Sequence, residues 1–194
     1  MSAPGERVVL DVGTPVGGVA LAIAVALANW ATALVVGALH VPFFLDSWAT
    51  SAGVIAGGLR VGLAGGVLYN ALMAATTWGA AASVWAASSV LVACSSWTLR
   101  RAGWIDIERP SRLVTAGVLI GIANACLATA ILHFVLGVPD DPNTRAFREA
   151  LRTTLGDAPA SLFTQEILIE IPDKTISLIT AAAVVVLLFE RSRR

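Results

Sequence analysis

A cluster of charged residues stands directly ahead of the last apolar stretch of the chain. Lys174, the only lysine, follows Glu166 and Glu170 at spacings of four residues, and Asp173 directly precedes it. This spacing places Glu166, Glu170 and Lys174 on one helical face, and an acid four residues before a base is the favourable order for an ion pair. Ionised groups inside a bilayer are costly unless they are paired or face water, so an intramembrane cluster is by default a hypothesis for a functional site.

Two further polar residues fall at a similar predicted depth, Asp46 at the outer start of the second apolar stretch and Asn70 in the outer part of the third. One hypothesis is that Asp46 or Asp173 only neutralises Lys174, since a buried ion pair can exist for register alone. The other is that Asp46, Asn70, Glu170 and Lys174 line a polar cavity open to the outside. The sequence leaves both open.

Two tryptophans are candidates for a ligand-stacking surface. Trp78 and Trp85 are seven residues apart, which predicts one helical face near the outer end of the fourth stretch. A pair of indoles there could stack on a flat ligand, and packing between helices is the plainer alternative. Trp97 and Trp104 instead suit the interfacial belt of a membrane protein.

The elements that must position these residues are membrane helices. Hydrophobic residues make up 57% of the chain, and charges are scarce. We predict an all-α integral membrane protein with a single membrane domain over residues 1–194. The expected spans of this six-helix bundle are 16–38, 46–59, 61–76, 78–97, 113–137 and 162–189. The second and third are short, and the Gly57-Gly58 pair between them predicts a turn.

Arginines decide the predicted orientation. With six spans, all of them outside the loop before the last span fall on one side of the membrane: Arg7, Arg60, Arg100, Arg101, Arg109, Arg112, Arg191, Arg193 and Arg194. The positive-inside rule makes that side cytoplasmic. We therefore expect a multi-pass protein of the cytoplasmic membrane with both termini inside.

The loop before the last span predicts a short amphipathic helix on the outer surface. Asp141 and Pro142 suit an N-cap and a first helical position, and Gly156 suits a helix end. Apolar residues recur between them at helical spacing: Phe147, Ala150, Leu151 and Leu155. The helix is either a lid over a cavity or a connector lying in the headgroups.

Alanines occupy every second position of the first span: Ala20, Ala22, Ala24, Ala26 and Ala28. They form small-xxx-small pairs on adjoining faces, which let another helix approach closely. That helix belongs either to this bundle or to a partner subunit, and the sequence does not separate these alternatives.

Three segments carry a resemblance to a known family. Leu45-Asp46-Ser47-Trp48-Ala49-Thr50 resembles the Leu-Asp-Ser-Ile-Gly-Thr motif of the substrate-binding S components of energy-coupling factor transporters, with Trp-Ala in place of Ile-Gly. Residues 57–70 are similar to their Gly-x-x-x-Gly-x-x-x-Gly-x-x-x-Asn pattern, and residues 170–177 resemble the Asp-Lys-x-x-Ser start of their last helix.

The resemblance implies a six-helix bundle that binds a vitamin or similar small nutrient on its outer side. A membrane coupling subunit and cytoplasmic ATPases would drive release inward, and the face from Ala20 to Ala28 would dock to the coupling subunit. The sequence contains no Gly-x-x-x-x-Gly-Lys-Ser/Thr loop of its own to hold nucleotide phosphates. The implied cavity residues are Asp46, Asn70, Trp78, Trp85, Glu170 and Lys174.

Other classes of function compete with transport. An intramembrane enzyme lacks support, because no His-Glu-x-x-His or Gly-x-Ser-x-Gly motif occurs and Ser177 is poorly placed to be activated by Lys174. The serious alternative is a non-transporting sensor or assembly module of the same bundle type. We expect no cofactor, no metal and no nucleic-acid partner; the expected partners are a small-molecule substrate, the transport subunits and the lipid bilayer.

Overall fold

The computed structural model describes residues 15–39, 43–138, 144–156 and 160–190. Within these ranges all regular structure is helical, which confirms the predicted all-α class. The α-helices are Pro15–Ala38 (α1), Trp48–Gly57 (α2), Leu59–Met73 (α3), Ala86–Arg101 (α4), Pro110–Ala130 (α5), Arg145–Leu155 (α6) and Ala160–Glu190 (α7). The π-helical turns Ala74–Trp78 and Ile131–Val135 extend α3 and α5, and the 3-10 segment Ala80–Trp85 leads into α4.

Four of the described helices are long and apolar enough to cross a membrane: Pro15–Ala38, Ala80–Arg101, Pro110–Val135 and Ala160–Leu188. They correspond to the first, fourth, fifth and last predicted spans, and they are the hallmark of a multi-pass membrane protein. The second and third predicted spans, which correspond to α2 and α3, are not among these four helices. Helix α2 has 10 residues, so it extends roughly 15 Å, about half of the hydrocarbon core.

Helix α3 lies close to three neighbours because glycines line its contacts. Gly58, with φ +85°, separates it from α2, as the glycine pair predicts. A methyl group on Gly65 would overlap Val25 of α1, and one on Gly66 would lie 2.9 Å from Cβ of Ser89 in α4. Backbones can approach this closely only where side chains are absent. The glycines lower the hydropathy of this stretch, and the same glycines allow α3 to pack closely against its neighbours.

Helices α5 and α7 also meet through glycines. A Cβ atom on Gly117 would lie 2.6 Å from Cα of Thr175, and one on Gly121 would lie 2.6 Å from Cα of Ile171. These contacts flank Pro172, which lies inside the helix. A proline at this position predicts that the helix kinks or starts there, with the acidic residues in an extended entry segment. The structure corrects the second part, because Glu166 and Glu170 lie within the helix. We attribute the continuous helix to this close packing, which outweighs the hydrogen bond that proline cannot donate.

The arginines of the described helices other than α6 gather at one end of the bundle. Arg100 at the end of α4 donates to the carbonyl of Val54 near the end of α2, at 2.9 Å. Helix α3 begins beside this contact and carries Arg60, while Arg101 and Arg109 flank the connection from α4 to α5. We call this the arginine end. The opposite end contains the end of α3, the beginning of α4 and the beginning of α7.

The alanines of α1 divide between two environments. Ala22 and Ala26 are buried inside this bundle, against α2 and α3, so they are not free to dock a partner subunit. Ala28 is half-buried beside them, whereas Ala20 and Ala24 are exposed. For Ala22 and Ala26 the prediction of a partner-docking role is corrected to packing within the chain.

Candidate ligand cavity

A cavity of about 740 Å³ lies at the end of the bundle opposite the arginine end. Its wall is built by the end of α1, residues 43–47, the end of α3, the beginning of α4, the end of the α5 extension, α6 and α7. Trp78 and Leu34 line it and are 42% and 39% exposed, so the cavity reaches the molecular surface. Its size falls within the range of about 300–1,000 Å³ that is usual for sites of small organic ligands.

All of the candidate substrate-binding residues line this cavity: Asp46, Asn70, Trp78, Trp85, Glu170 and Lys174. They come from segments that are far apart in the sequence and are brought together only by the fold. Their placement meets the geometric requirement for a common site. Their role in binding stays a prediction.

Lys174 is the centre of a buried ionic cluster. Its Nζ lies 2.5 Å from Oδ2 of Asp173, 3.1 Å from Oε2 of Glu170 and 3.9 Å from Oδ1 of Asp46. The ammonium group therefore meets three carboxylates, of which Asp46 and Glu170 also belong to the cavity wall. The neutralising pair and the cavity were separate hypotheses from the sequence. In the structure, Asp46 and Glu170 face Lys174 and also line the cavity, so the two hypotheses concern the same side chains.

Two neighbours fix the carboxylates of this cluster. Tyr69 donates its hydroxyl to Oδ2 of Asp46 at 2.7 Å, and the backbone N–H of Leu45 donates to Oδ1 of Asp173 at 2.6 Å. Leu45 has φ +46°, a left-handed conformation that is uncommon for a side chain of this type. The segment before α2 is thus held against α7 by a backbone-to-carboxylate bond, and it delivers Asp46 to the cavity.

A second polar chain connects α6 to α7. Arg148 donates through Nε to Oε1 of Gln165 at 3.2 Å and through a terminal nitrogen to Oγ1 of Thr144 at 3.1 Å. Gln165 in turn donates to Oε1 of Glu166 at 2.9 Å. Thr144, Arg148, Gln165 and Glu166 all line the cavity. Helix α6 therefore contributes to the cavity wall, and Gly156 at φ +81° ends it as predicted. Asp141 and Pro142 lie outside the described residues.

Asn70 ties two walls of the cavity together. Its Nδ2 donates to Oγ of Ser89 in α4 at 2.7 Å and to the carbonyl of Gly66 at 2.9 Å. Both bonds are buried and internal to the protein. Asn70 therefore supports the cavity wall through these bonds, in addition to lining it.

The aromatic side of the cavity is formed differently from the prediction. Trp78 ends the π-helical turn after α3, and Trp85 ends the 3-10 segment before α4. Gly79, at φ +77°, breaks the chain direction between them. The expectation of one continuous helical face is therefore wrong, although both tryptophans line the cavity, together with Phe43 and Phe44.

Two polar atoms in the cavity wall lack a hydrogen-bond partner within the described structure, Oγ of Ser47 and Oε2 of Glu170. Ser47 and Glu170 are 4% and 3% exposed. Oε2 of Glu170 lies 3.1 Å from Nζ of Lys174, so its contact there is an ion pair without the alignment of a hydrogen bond. A buried hydroxyl or carboxylate oxygen without a partner is costly. Both atoms belong to residues of the cavity wall and have hydrogen-bonding capacity that the described structure does not use.

Sequence reasoning named the charged centre of the site but missed much of its wall. Ser47 and Arg148 line the cavity and were not predicted, although Ser47 lies beside Asp46 and Arg148 lies in the predicted outer helix. Tyr69, which donates to Asp46 without lining the cavity, was not predicted either. Ser47 could have been predicted from its position next to Asp46 in the sequence. No comparable signal indicates Tyr69, which follows the apolar pattern of α3.

The described part of the chain shows no group of three or more His, Cys, Asp or Glu side chains placed to hold a metal ion. In the acidic cluster the central position is taken by the ammonium of Lys174. Comparisons with protein-family models, with curated proteins and with solved structures find no match to this chain.

Proposed function

We propose that this chain is a membrane substrate-binding subunit for the uptake of a vitamin or similar small nutrient, energised by separate coupling and ATPase subunits. The observation that carries the proposal is the cavity. Charged, amide and aromatic side chains from several helices converge on about 740 Å³ of space inside an apolar bundle. Charged groups at such depth are costly, and a substrate pathway is one of the few roles for which membrane proteins retain them.

The proposal includes six spans and an orientation. Helix α3 with its π-helical turn covers residues 59–78, roughly 30 Å and enough to cross the hydrocarbon core. Helix α2 crosses in part and is completed by residues 43–47, which are half-buried apart from the buried Ser47 and contribute to the cavity wall. Non-helical backbone that lines a cavity is tolerated at membrane depth. The arginine end faces the cytoplasm, in keeping with the positive-inside rule, and the cavity then faces outward.

Release of the nutrient inward requires energy from other subunits, since the sequence has no phosphate-binding loop of its own. We propose that a membrane coupling subunit docks on the outer face of α1. Ala20 and Ala24 are exposed there, four residues apart, and offer the small-residue surface that permits close helix contact.

Affinity purification from native membranes in mild detergent tests this assignment against a sensor or assembly module. We expect a membrane coupling protein and ATPases to co-purify, and Ala20→Trp with Ala24→Trp to remove them. The matched control is Gly18→Trp, a small residue of the same helix at which an added Cβ would meet nothing within 4 Å. A kinase in place of ATPases, or no partner at all, would reject transport.

A further inference from the structure

The described polar groups of the cavity carry an excess of negative charge. Lys174 faces the carboxylates of Asp46, Glu170 and Asp173. Beyond them, Glu166 lies in the same wall, joined through Gln165 to Arg148. When every group is ionised, four carboxylates face two cations. An uncompensated charge of this kind is expensive in a buried, weakly polar site.

The cations of this site are already engaged. Nζ of Lys174 has three carboxylates within 4.0 Å, and the guanidinium of Arg148 bonds to Gln165 and Thr144. An anionic ligand would therefore have to displace internal partners from both. The cavity is poorly suited to a carboxylate or phosphate.

Protonation of a carboxylate is the other way to reduce the excess charge, and it adds an O–H donor to the site. A protonated carboxyl needs an acceptor for its new O–H donor. Oγ of Ser47 has no hydrogen-bond partner in the described structure, and Oε2 of Glu170 has only its ion pair with Lys174. Both atoms accept hydrogen bonds, and both residues line the cavity. A positively charged donor entering from the cavity satisfies the oxygens and the charge together.

We propose that the cavity binds an organic cation. This rests on the proposed function and adds the chemical class of the substrate. A protonated amine or a positively charged ring nitrogen contacts Asp46, Ser47 and Glu170, and the flat or apolar body of the molecule lies against Trp78 and Trp85. Indole faces attract cations as well as apolar surface, so the aromatic wall favours the same class of ligand.

Equilibrium dialysis tests the charge class directly. The protein in lipid nanodiscs is dialysed against a metabolite extract freed of macromolecules, and the retained compounds are identified by mass spectrometry. The blank is Ala81→Trp, which fills the cavity from an exposed alanine in its wall. The matched control is Ala87→Trp, an exposed alanine of α4 that does not line the cavity.

We expect the compounds retained by the wild-type protein and by Ala87→Trp, but not by Ala81→Trp, to carry a positive charge. Retention of neutral or anionic compounds with the same dependence on the cavity would overturn the cation inference and leave the uptake proposal standing. Retention of nothing above the Ala81→Trp blank would reject the uptake proposal and this inference together.

A carboxylate comparison measures the contribution of the negative wall to binding of the retained cation. Glu170→Gln keeps the size of the side chain and removes its charge, so we expect its dissociation constant to rise roughly tenfold or more. Glu149→Gln makes the same change on α6, where the side chain is 66% exposed and pairs with Arg152, and should leave affinity unchanged. Equal affinity in both variants would contradict the assignment of Glu170.

Discussion

At the scale of single residues, Lys174 belongs both to the stability of the bundle and to its cavity. Its ammonium faces three carboxylates, and two of those, from Asp46 and Glu170, line the space where a ligand would lie. Such sharing explains why one lysine can be kept buried in the bundle. The spacing of Glu166, Glu170 and Lys174 was sufficient to predict the centre of the site, because side chains four residues apart on a helix share a face.

Substitution in the charged cluster should weaken binding without preventing membrane insertion. Asp46→Asn keeps an acceptor for the Tyr69 hydroxyl but removes one negative charge beside Lys174. Lys174→Met leaves three carboxylates without their cation, and breaking a buried pair costs about 3–5 kcal/mol of stability. We expect reduced ligand retention in both variants, with the larger loss of thermal stability in Lys174→Met. Asp106→Asn is the control, because Asp106 is half-buried and pairs with Arg109 at the arginine end, away from the cavity. Normal retention in both cluster variants would reject the site.

Substitution of Ser47 distinguishes a role in ligand binding from a role in stability. Its hydroxyl is buried without a partner and does not cap α2. We expect Ser47→Ala to leave the melting temperature unchanged or raise it, since a costly unpaired group is removed, while ligand retention falls severalfold. Ser96 is the contrast, because its hydroxyl bonds to Ser51 at 3.1 Å. Ser96→Ala should lower stability by about 1 kcal/mol and leave retention intact; the reverse pattern would show that Ser47 is structural.

At the scale of helices, hydropathy predicts where a helix lies in the sequence better than whether that helix is continuous. The first predicted span, 16–38, agrees with α1 at Pro15–Ala38. A long run of apolar residues is typical of a membrane-spanning helix, so its position can be predicted from hydropathy. Local features of the backbone are not visible in the hydropathy pattern. Gly79 at φ +77° divides what reads as one helix, whereas Pro172 does not divide α7. Both outcomes depend on contacts with distant helices, which no window of the sequence contains.

The glycines of α5 should be sensitive to the addition of one methyl group. In Gly121→Ala the new carbon would meet Cα of Ile171 at 2.6 Å and the carbonyl oxygen of Glu170 at 2.8 Å. Backbone atoms cannot move aside as a flexible side chain would, so we expect a loss of about 1–3 kcal/mol in thermal unfolding in detergent. Gly18→Ala in α1 meets nothing within 4 Å and should stabilise by roughly 0.5–1 kcal/mol. Equal effects at the two sites would contradict close packing of α5 on α7.

Helix α6 should control the rate of ligand exchange if it acts as a lid. Arg148 joins α6 to Gln165 at the cavity wall, so Arg148→Leu loosens that contact and should raise the ligand dissociation rate severalfold. The control is Arg152→Leu on the same helix, since Arg152 is 55% exposed and pairs with Glu149. Stopped-flow dissociation gives the comparison. Similar rates in the two variants would favour a connector lying in the headgroups.

At the scale of the whole molecule, the proposed topology places the arginine end in the cytoplasm and the cavity outside. After replacement of the free cysteines Cys94 and Cys126, single cysteines can report each side. We expect Thr153→Cys on α6 to react with a membrane-impermeant maleimide in intact cells. Glu108→Cys, between α4 and α5, should react only after lysis. Labelling of both in intact cells, or of Glu108→Cys alone, would contradict the orientation.

In the described part of the molecule, packed helices surround a cavity of about 740 Å³ whose wall combines charged, aromatic and aliphatic side chains. Native mass spectrometry of gently purified protein tests most directly whether that space is a binding site. We predict one small molecule bound per chain in the wild-type protein and in Ala87→Trp, and none in the cavity-filling variant Ala81→Trp. The same bound state in all three proteins, or no bound molecule in any of them, would contradict the assignment of the cavity as a binding site.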